Sequence, residues 1–166
     1  MHVLTKCMKG HPMIGLTGVS GKLGSLVTAD LQSILADNSQ SDGSHETVRY
    51  IARSPHKLEG KVPEGVEVRK ASYENSPESV AALTGVDTLF MVSAAESPTR
   101  VDEHKAFIDA ARAAGVQHIV YTSFYNAAAE STFTLGRDHG HTEDYIKASG
   151  MTYTFIRDNF YSEFFC

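Results

Sequence analysis

Glycines at 18, 21 and 24 punctuate "TGVSGKLG" (17–24), between the apolar run Met13-Ile14-Gly15-Leu16 and a segment opening on Leu26-Val27. A glycine-rich turn from strand to helix lets backbone N–H groups close on a phosphate, and the helix N-terminus behind it favours the anion. The spacing is G-x-x-G-x-x-G rather than the usual G-x-G-x-x-G, so a merely structural turn is the competing reading. The strand–turn–helix–strand context favours the phosphate. A second group, "IARSPHKL" (51–58), ends an apolar run on Arg53, His56 and Lys57 without an acid. A site for a plain ribose places an acid there to accept the 2′-hydroxyl, whereas a site for a 2′-phosphate places a base. Arg53 can grip a phosphate bidentately and Ser54 can add a hydrogen bond, which favours NADPH over NADH. The bland alternative is a solvated basic turn.

Other groupings carry less. Ser123 with His139 imitates a nucleophile and base, yet no G-x-S-x-G elbow surrounds the serine, so a hydrolase is not expected. His139, His141 and Glu143 suggest a metal, but on a helix only 139 and 143 share a face, and two ligands make a poor site. No metal is expected. His104 and His118 read as ordinary helix-surface and strand-edge contacts, and Asp87 as a turn cap. Tyrosines 121, 125, 145, 153 and 161 read as packing residues.

The elements that position these residues alternate. Strands are expected at 13–17, 47–52, 65–71, 87–94, 117–123 and 152–157. Leu23, Leu26, Val27, Leu31, Ile34 and Leu35 recur at spacings of three and four, marking an amphipathic helix. Further helices are expected at 76–85 with Ser76 as N-cap, at 100–115 burying Val101, Phe107, Ile108 and Ala111, and near 137–149. Such alternation argues for one α/β domain built on a parallel sheet with right-handed crossovers.

The whole chain sets outer limits. Its 166 residues, 42% hydrophobic, suffice for one core. A net charge of −5 argues against a nucleic-acid footprint. No apolar run approaches a membrane span, and the first residues lack a signal peptide's apolar centre. Cys7 and Cys166 are the two cysteines, which suits a reducing compartment, and a cytoplasmic location is expected.

Taken together, "GLTGVSGKLG", "IARSPHKL", the stretch from "LFMVSAAESPTR" through "GVQHIVYTSF", and "TFTLGRDHGHTEDYIKASGMTYTFIRDNFY" resemble the NmrA-like, atypical short-chain dehydrogenase/reductase family, which includes type 2 NAD(P)H:quinone oxidoreductases. The resemblance implies a Rossmann-type, doubly wound, three-layer sheet of order 3-2-1-4-5-6. It implies NADPH contacts at Thr17, Gly18, Ser20, Gly21 and Leu23 around the pyrophosphate and at Arg53 on the 2′-phosphate. Ser93 and Ala94 would approach the ribose, with Ser123 near the nicotinamide and His139 over its side. Ser123 and His139 are therefore the candidates for a catalytic role. The implied activity is hydride transfer to a quinone or similar small electrophile.

There are departures from the family pattern. Ser72 replaces an acid after the third strand, and the Tyr-x-x-x-Lys pair of ordinary short-chain dehydrogenases is missing, with Lys147 only two residues after Tyr145. The segment that builds the family's substrate pocket is missing beyond the sixth strand, so 13–166 reads as a truncated dinucleotide domain. Residues 1–12 read as an appended, disordered extension. A non-catalytic NAD(P)-sensing module and an inactive remnant stay open as alternatives. A homodimer stays open too, since an exposed patch at Phe160, Phe164 and Phe165 would favour association.

Overall fold

The computed structural model describes residues 12–41 and 47–161. The expected extension before residue 12, both cysteines, the loop at 42–46, Phe164 and Phe165 lie outside the described residues. Among the described residues there are six strands: β1 (Met13–Leu16), β2 (Thr47–Ala52), β3 (Glu67–Lys70), β4 (Thr88–Met91), β5 (His118–Phe124) and β6 (Thr152–Asp158). All neighbours pair in parallel, in the order 3-2-1-4-5-6. Helices α1 (Lys22–Ser41), α2 (Pro77–Leu83), α3 (Arg100–Ala114) and α4 (Thr134–Ala148) connect them. This is the expected Rossmann-type arrangement, with helices on both faces.

Strand alternation divides the core in two. Ile51, Leu89, Met91, Ile119 and Tyr121 point to the face covered by α2, α3 and α4, where they meet Leu83, Phe107, Ile108 and Ile146. Leu16, Val48, Tyr50 and Ala52 point to the opposite face, against Val27, Leu31 and Leu35 of α1. The period-two side-chain direction of a strand makes this split unavoidable in a sheet covered on both sides. The inward stripe of α1 is narrower than its sequence suggests: Leu26 and Ile34 are 66% and 54% exposed. Val27, Leu31 and Leu35, four apart, fill the available contact, and the neighbouring stripe is left facing solvent. Helix α4 starts three residues before its expected position, because Gly136 obscures its first turn. No helix among the described residues is long and apolar enough to cross a membrane.

One polar residue ties three elements of the left half of the sheet. Arg49 of β2 is buried, and its Nη1 donates to the carbonyls of Ala82 and Thr84 at 3.0 and 2.7 Å, at the end of α2. Its Nε donates to Glu67 of β3. A cation over the last carbonyls of a helix also suits the helix dipole. Burial raises the Glu67 carboxyl, but hydrogen bonds and charge from Arg49 and Arg69 outweigh it and leave it below its ordinary value of 4.5. A depressed carboxyl stabilises the fold above its unfolded value, and that contribution is lost as pH falls through the folded one. Arg49→Met is expected to lower unfolding free energy by about 2–4 kcal/mol at neutral pH, since buried carbonyls lose their donor. Urea denaturation at pH 7 and below 4.5 should show the gap to wild type narrowing in acid.

Candidate functional site

Strands β1 and β4 lie side by side, and the chain leaves them toward opposite faces, into α1 and α3. At this switch point in an open α/β sheet, a crevice forms beyond the carboxyl ends of the strands. Here it is a cleft of about 520 Å³ bounded by the turns after β1, β2, β3 and β4. Thr17, Gly18 and Ser20 line one side, Arg53, Ser54 and Lys57 the next, and Ser93 and Ala94 the side beyond β4. Gly21 and Leu23 stand one step back: the Gly21 N–H donates to the Gly18 carbonyl at 2.8 Å and closes the turn, and Leu23 lies in the first turn of α1.

Two glycines set how closely the turn packs. Gly18 has φ +67°, and a Cβ there would lie 2.7 Å from the Val92 Cβ. A Cβ on Gly24 would lie 2.1 Å from the Gly18 carbonyl oxygen. The turn is thus pressed against both β4 and the start of α1, and only glycine permits either approach. The first N–H groups of a helix have no partners inside it, and α1 carries no acid in its first turn. The residues present fit a bound pyrophosphate. Arg53 is exposed on the same cleft and forms no ion pair among the described residues, so its fork is available to an anion.

The Thr17 side chain has a further task. It is 2% exposed, and its hydroxyl accepts from the Val92 N–H at 2.9 Å and meets the Tyr73 hydroxyl at 2.7 Å. Tyr73 in turn donates to the Val92 carbonyl. The side chain of Thr17 therefore clamps the strand ends and leaves the cleft to its backbone. Tyr73, which no motif pointed to, is as important to the cleft as any glycine.

Ser123 and His139 are not on the cleft wall. Ser123 is 1% exposed, and its hydroxyl donates to Glu143 Oε1 at 2.6 Å. Glu143 is held bidentately by Arg157, at 2.8 and 2.6 Å. His139, equally buried, bonds Arg100 Nη2 through Nε2 and the Tyr121 hydroxyl through Nδ1, both at 2.9 Å. A guanidinium only donates, so Nε2 must accept and the proton must sit on Nδ1. Burial and then the Arg100 charge hold this imidazole down to about 3. Both ring nitrogens are thus engaged, and the ring is neutral near pH 7. Both side chains expected to act on a substrate are held in hydrogen-bonded groups where α4 packs inward against β5.

His104 overturns its expectation more sharply. It is fully buried, not on the helix surface; Nε2 accepts the Ala94 N–H at 2.9 Å and Nδ1 meets Thr142 Oγ1 at 2.9 Å. Burial, Arg100 and His139 together push it down to about 3. The missed signal was periodic: 104 falls on the same face of α3 as Phe107, Ile108 and Ala111. His118 does form strand-edge contacts, with Thr152 and Thr154 of β6. Asp87 accepts the Met13 N–H at 2.8 Å, which holds the start of β1 beside β4.

A family model described as NAD(P)H-binding matches residues 18–163. The chain belongs to this NAD(P)H-binding family. It is 34% identical over 151 residues to quinone oxidoreductase 2 of Escherichia coli, covering 91% of this chain and 50% of that protein. It is 31% identical to an NmrA-like family domain-containing oxidoreductase of Aspergillus flavus, covering 90% and 48%. The Citrobacter sp. triphenylmethane reductase complexed with NADP(H) superposes with a TM-score of 0.78 at 34% identity, covering 92% of this chain and 51% of that one. The chain thus spans about half the length of these relatives.

Gly24→Ala is expected to lower unfolding free energy by about 2 kcal/mol or more, because the obstacle is backbone and cannot yield as a flexible side chain would. Urea denaturation checks it. Both buried histidines stay neutral when folded but protonate when unfolded, so stability falls as pH drops below about 6.5 toward 3. Between pH 6 and 5 each contributes up to about 1.4 kcal/mol per pH unit. His139→Gln, which keeps an acceptor for Arg100 without titrating, should remove about half of that slope in urea midpoints.

Proposed function

We propose that this chain, as a member of that family, binds NADPH in the switch-point cleft and serves an oxidoreductase that passes hydride to a quinone or similar small electrophile. The observation that carries the reading is Arg53, exposed at the end of β2 on the same cleft as the glycine turn and without an ion pair among the described residues. That placement suits a 2′-phosphate, with Ser54 and Lys57 beside it. The pyrophosphate would lie on the turn at Gly18–Ser20, ahead of α1. The dinucleotide's other half would run past Ser93 and Ala94.

A bound reduced nicotinamide supplies the hydride itself, so the protein's task is placement and shielding. Quinone reduction needs no dedicated acid, since protons follow from solvent, and this agrees with the buried, fully engaged states of Ser123 and His139. These two residues act here as framework beneath the nicotinamide side. Beyond them, Phe124 packs against His139, with ring centroids 6.0 Å apart, and against Phe133 and Phe160 at 5.8 and 5.3 Å. Phe133 and Phe160 are about half exposed. Such an aromatic surface suits a flat, apolar acceptor.

A second reading, a dinucleotide-sensing module without turnover, is favoured by one observation: the residues lining the cleft run from Thr17 to Glu103, on the cofactor's side of the sheet. Fluorescence titration with NADPH, followed by NADPH absorbance with a small quinone added, separates the two. Tight binding with quinone-dependent oxidation is expected; binding without oxidation selects the sensor. Arg53→Ala should weaken NADPH by about 10- to 100-fold while changing NADH by less than about threefold. Equal losses for the two would remove the 2′-phosphate assignment.

A further inference from the structure

Where β4 ends, its backbone loses the sheet ladder, and three successive N–H groups are taken by side chains of three other elements. Val92 N–H donates to Thr17 Oγ1 at 2.9 Å, Ser93 N–H to Thr122 Oγ1 at 2.8 Å, and Ala94 N–H to His104 Nε2 at 2.9 Å. In a trans peptide the N–H of one residue and the carbonyl of the residue before it point in opposite directions. The rule can be checked one peptide earlier. Ser93 N–H points toward β5, and the Val92 carbonyl points the other way, where it accepts from Tyr73. By the same geometry, turning the Ala94 N–H toward α3 turns the Ser93 carbonyl away from α3.

We propose that His104 is a positioning residue of the cleft: by accepting the Ala94 N–H it sets the Ser93–Ala94 peptide so that the wall offers the Ser93 carbonyl, an acceptor, to a hydroxyl of the bound ligand's second sugar. This rests on the NADPH reading above. Arg53 lies at the β2 end of the cleft and addresses the phosphorylated adenosine half, so the wall beyond β4 faces the nicotinamide-side ribose. A hydroxyl-bearing sugar requires acceptors there, and a wall of N–H donors would favour an anion instead. His104 can play this part because its tautomer is locked. Nε2 receives a backbone donor, so Nδ1 carries the proton and donates to Thr142 Oγ1, whose own hydroxyl donates to the Asp138 carbonyl at 2.9 Å. Burial keeps the ring neutral at any ordinary pH, so the acceptor is always present.

Two substitutions separate the two ring nitrogens. His104→Gln places an amide oxygen where Nε2 stood and keeps an acceptor for Ala94. His104→Asn reaches only as far as Nδ1, keeps a donor for Thr142 and abandons Ala94. Calorimetric titration of the intact chain with NADPH, and with 2′,5′-ADP, which lacks the nicotinamide ribose, supplies the readout, with melting temperatures confirming that both variants fold. His104→Asn should weaken NADPH by about tenfold and leave 2′,5′-ADP unchanged, while His104→Gln should stay within about threefold of wild type for both. Equal NADPH affinities for the two variants, or a parallel loss of 2′,5′-ADP by His104→Asn, would overturn the positioning role. Absence of NADPH binding by the wild-type chain would overturn the cofactor reading, and this inference with it.

Discussion

The hydroxyl of Thr17 sits where β1, β3 and β4 end together, and the shape of the cleft depends on the bonds it makes. Strands of a parallel sheet end with backbone groups cut off from the ladder, and each such group left buried and unpaired costs free energy. Here Thr17 takes the Val92 N–H, Tyr73 takes the Val92 carbonyl, and the two hydroxyls meet each other. Burial raises the Tyr73 phenol well above its ordinary value, so it remains a donor. Stacking on Phe107, with ring centroids 4.6 Å apart, anchors the tyrosine to α3. The turn holding Gly18 can then press on Val92 because Val92 has nowhere to move. The glycines allow the close approach, and the clamp makes it permanent.

A second buried network lies beneath β5. It joins Arg100, His139, Tyr121, Thr142 and His104, and next to it stands the Ser123–Glu143–Arg157 group. Charge here is unevenly compensated: Arg100 is 3% exposed, and its Nε and Nη1 have no hydrogen-bond partner among the described residues. Its charge, added to burial, is why both histidines stay neutral. Burial and the Arg100 charge hold both imidazoles low, a paired carboxylate holds the Ser123 hydroxyl, and burial raises the Tyr121 phenol, so the network is otherwise tightly bonded.

The strands and helices were legible because burial on both faces of a parallel sheet writes short apolar runs and helical periods directly into the chain. The placement of Arg53 was legible for a related reason, since it follows directly from standing at the end of β2. Strand order came from family resemblance, as periodicity says nothing about which strands are neighbours. What escaped were contacts made across long separations. His104 sits between Glu103 and Lys105 and looks solvated; its burial comes from Ala94 on one side and Thr142, thirty-eight positions later, on the other. Tyr73 reaches back to Thr17 across fifty-six positions, and nothing local to "ASYEN" signals that. How Ser123 and His139 face relative to the cleft is likewise a matter of packing between α4 and β5.

The two halves of the cleft are therefore held by different means. The half that faces β2 is built of glycine turn, helix start and exposed cations, a set that suits negative charge. The half beyond β4 has its N–H groups withdrawn by Thr17, Thr122 and His104, and it recognises donors. A dinucleotide carries phosphates at its centre and at one ribose, and hydroxyls on the other, so the polarity of the walls changes sign where the ligand's does. Reversing a single peptide beyond β4 would spoil that match without disturbing the glycine turn. This is why a histidine buried under the wall bears on affinity as directly as an arginine standing in the open.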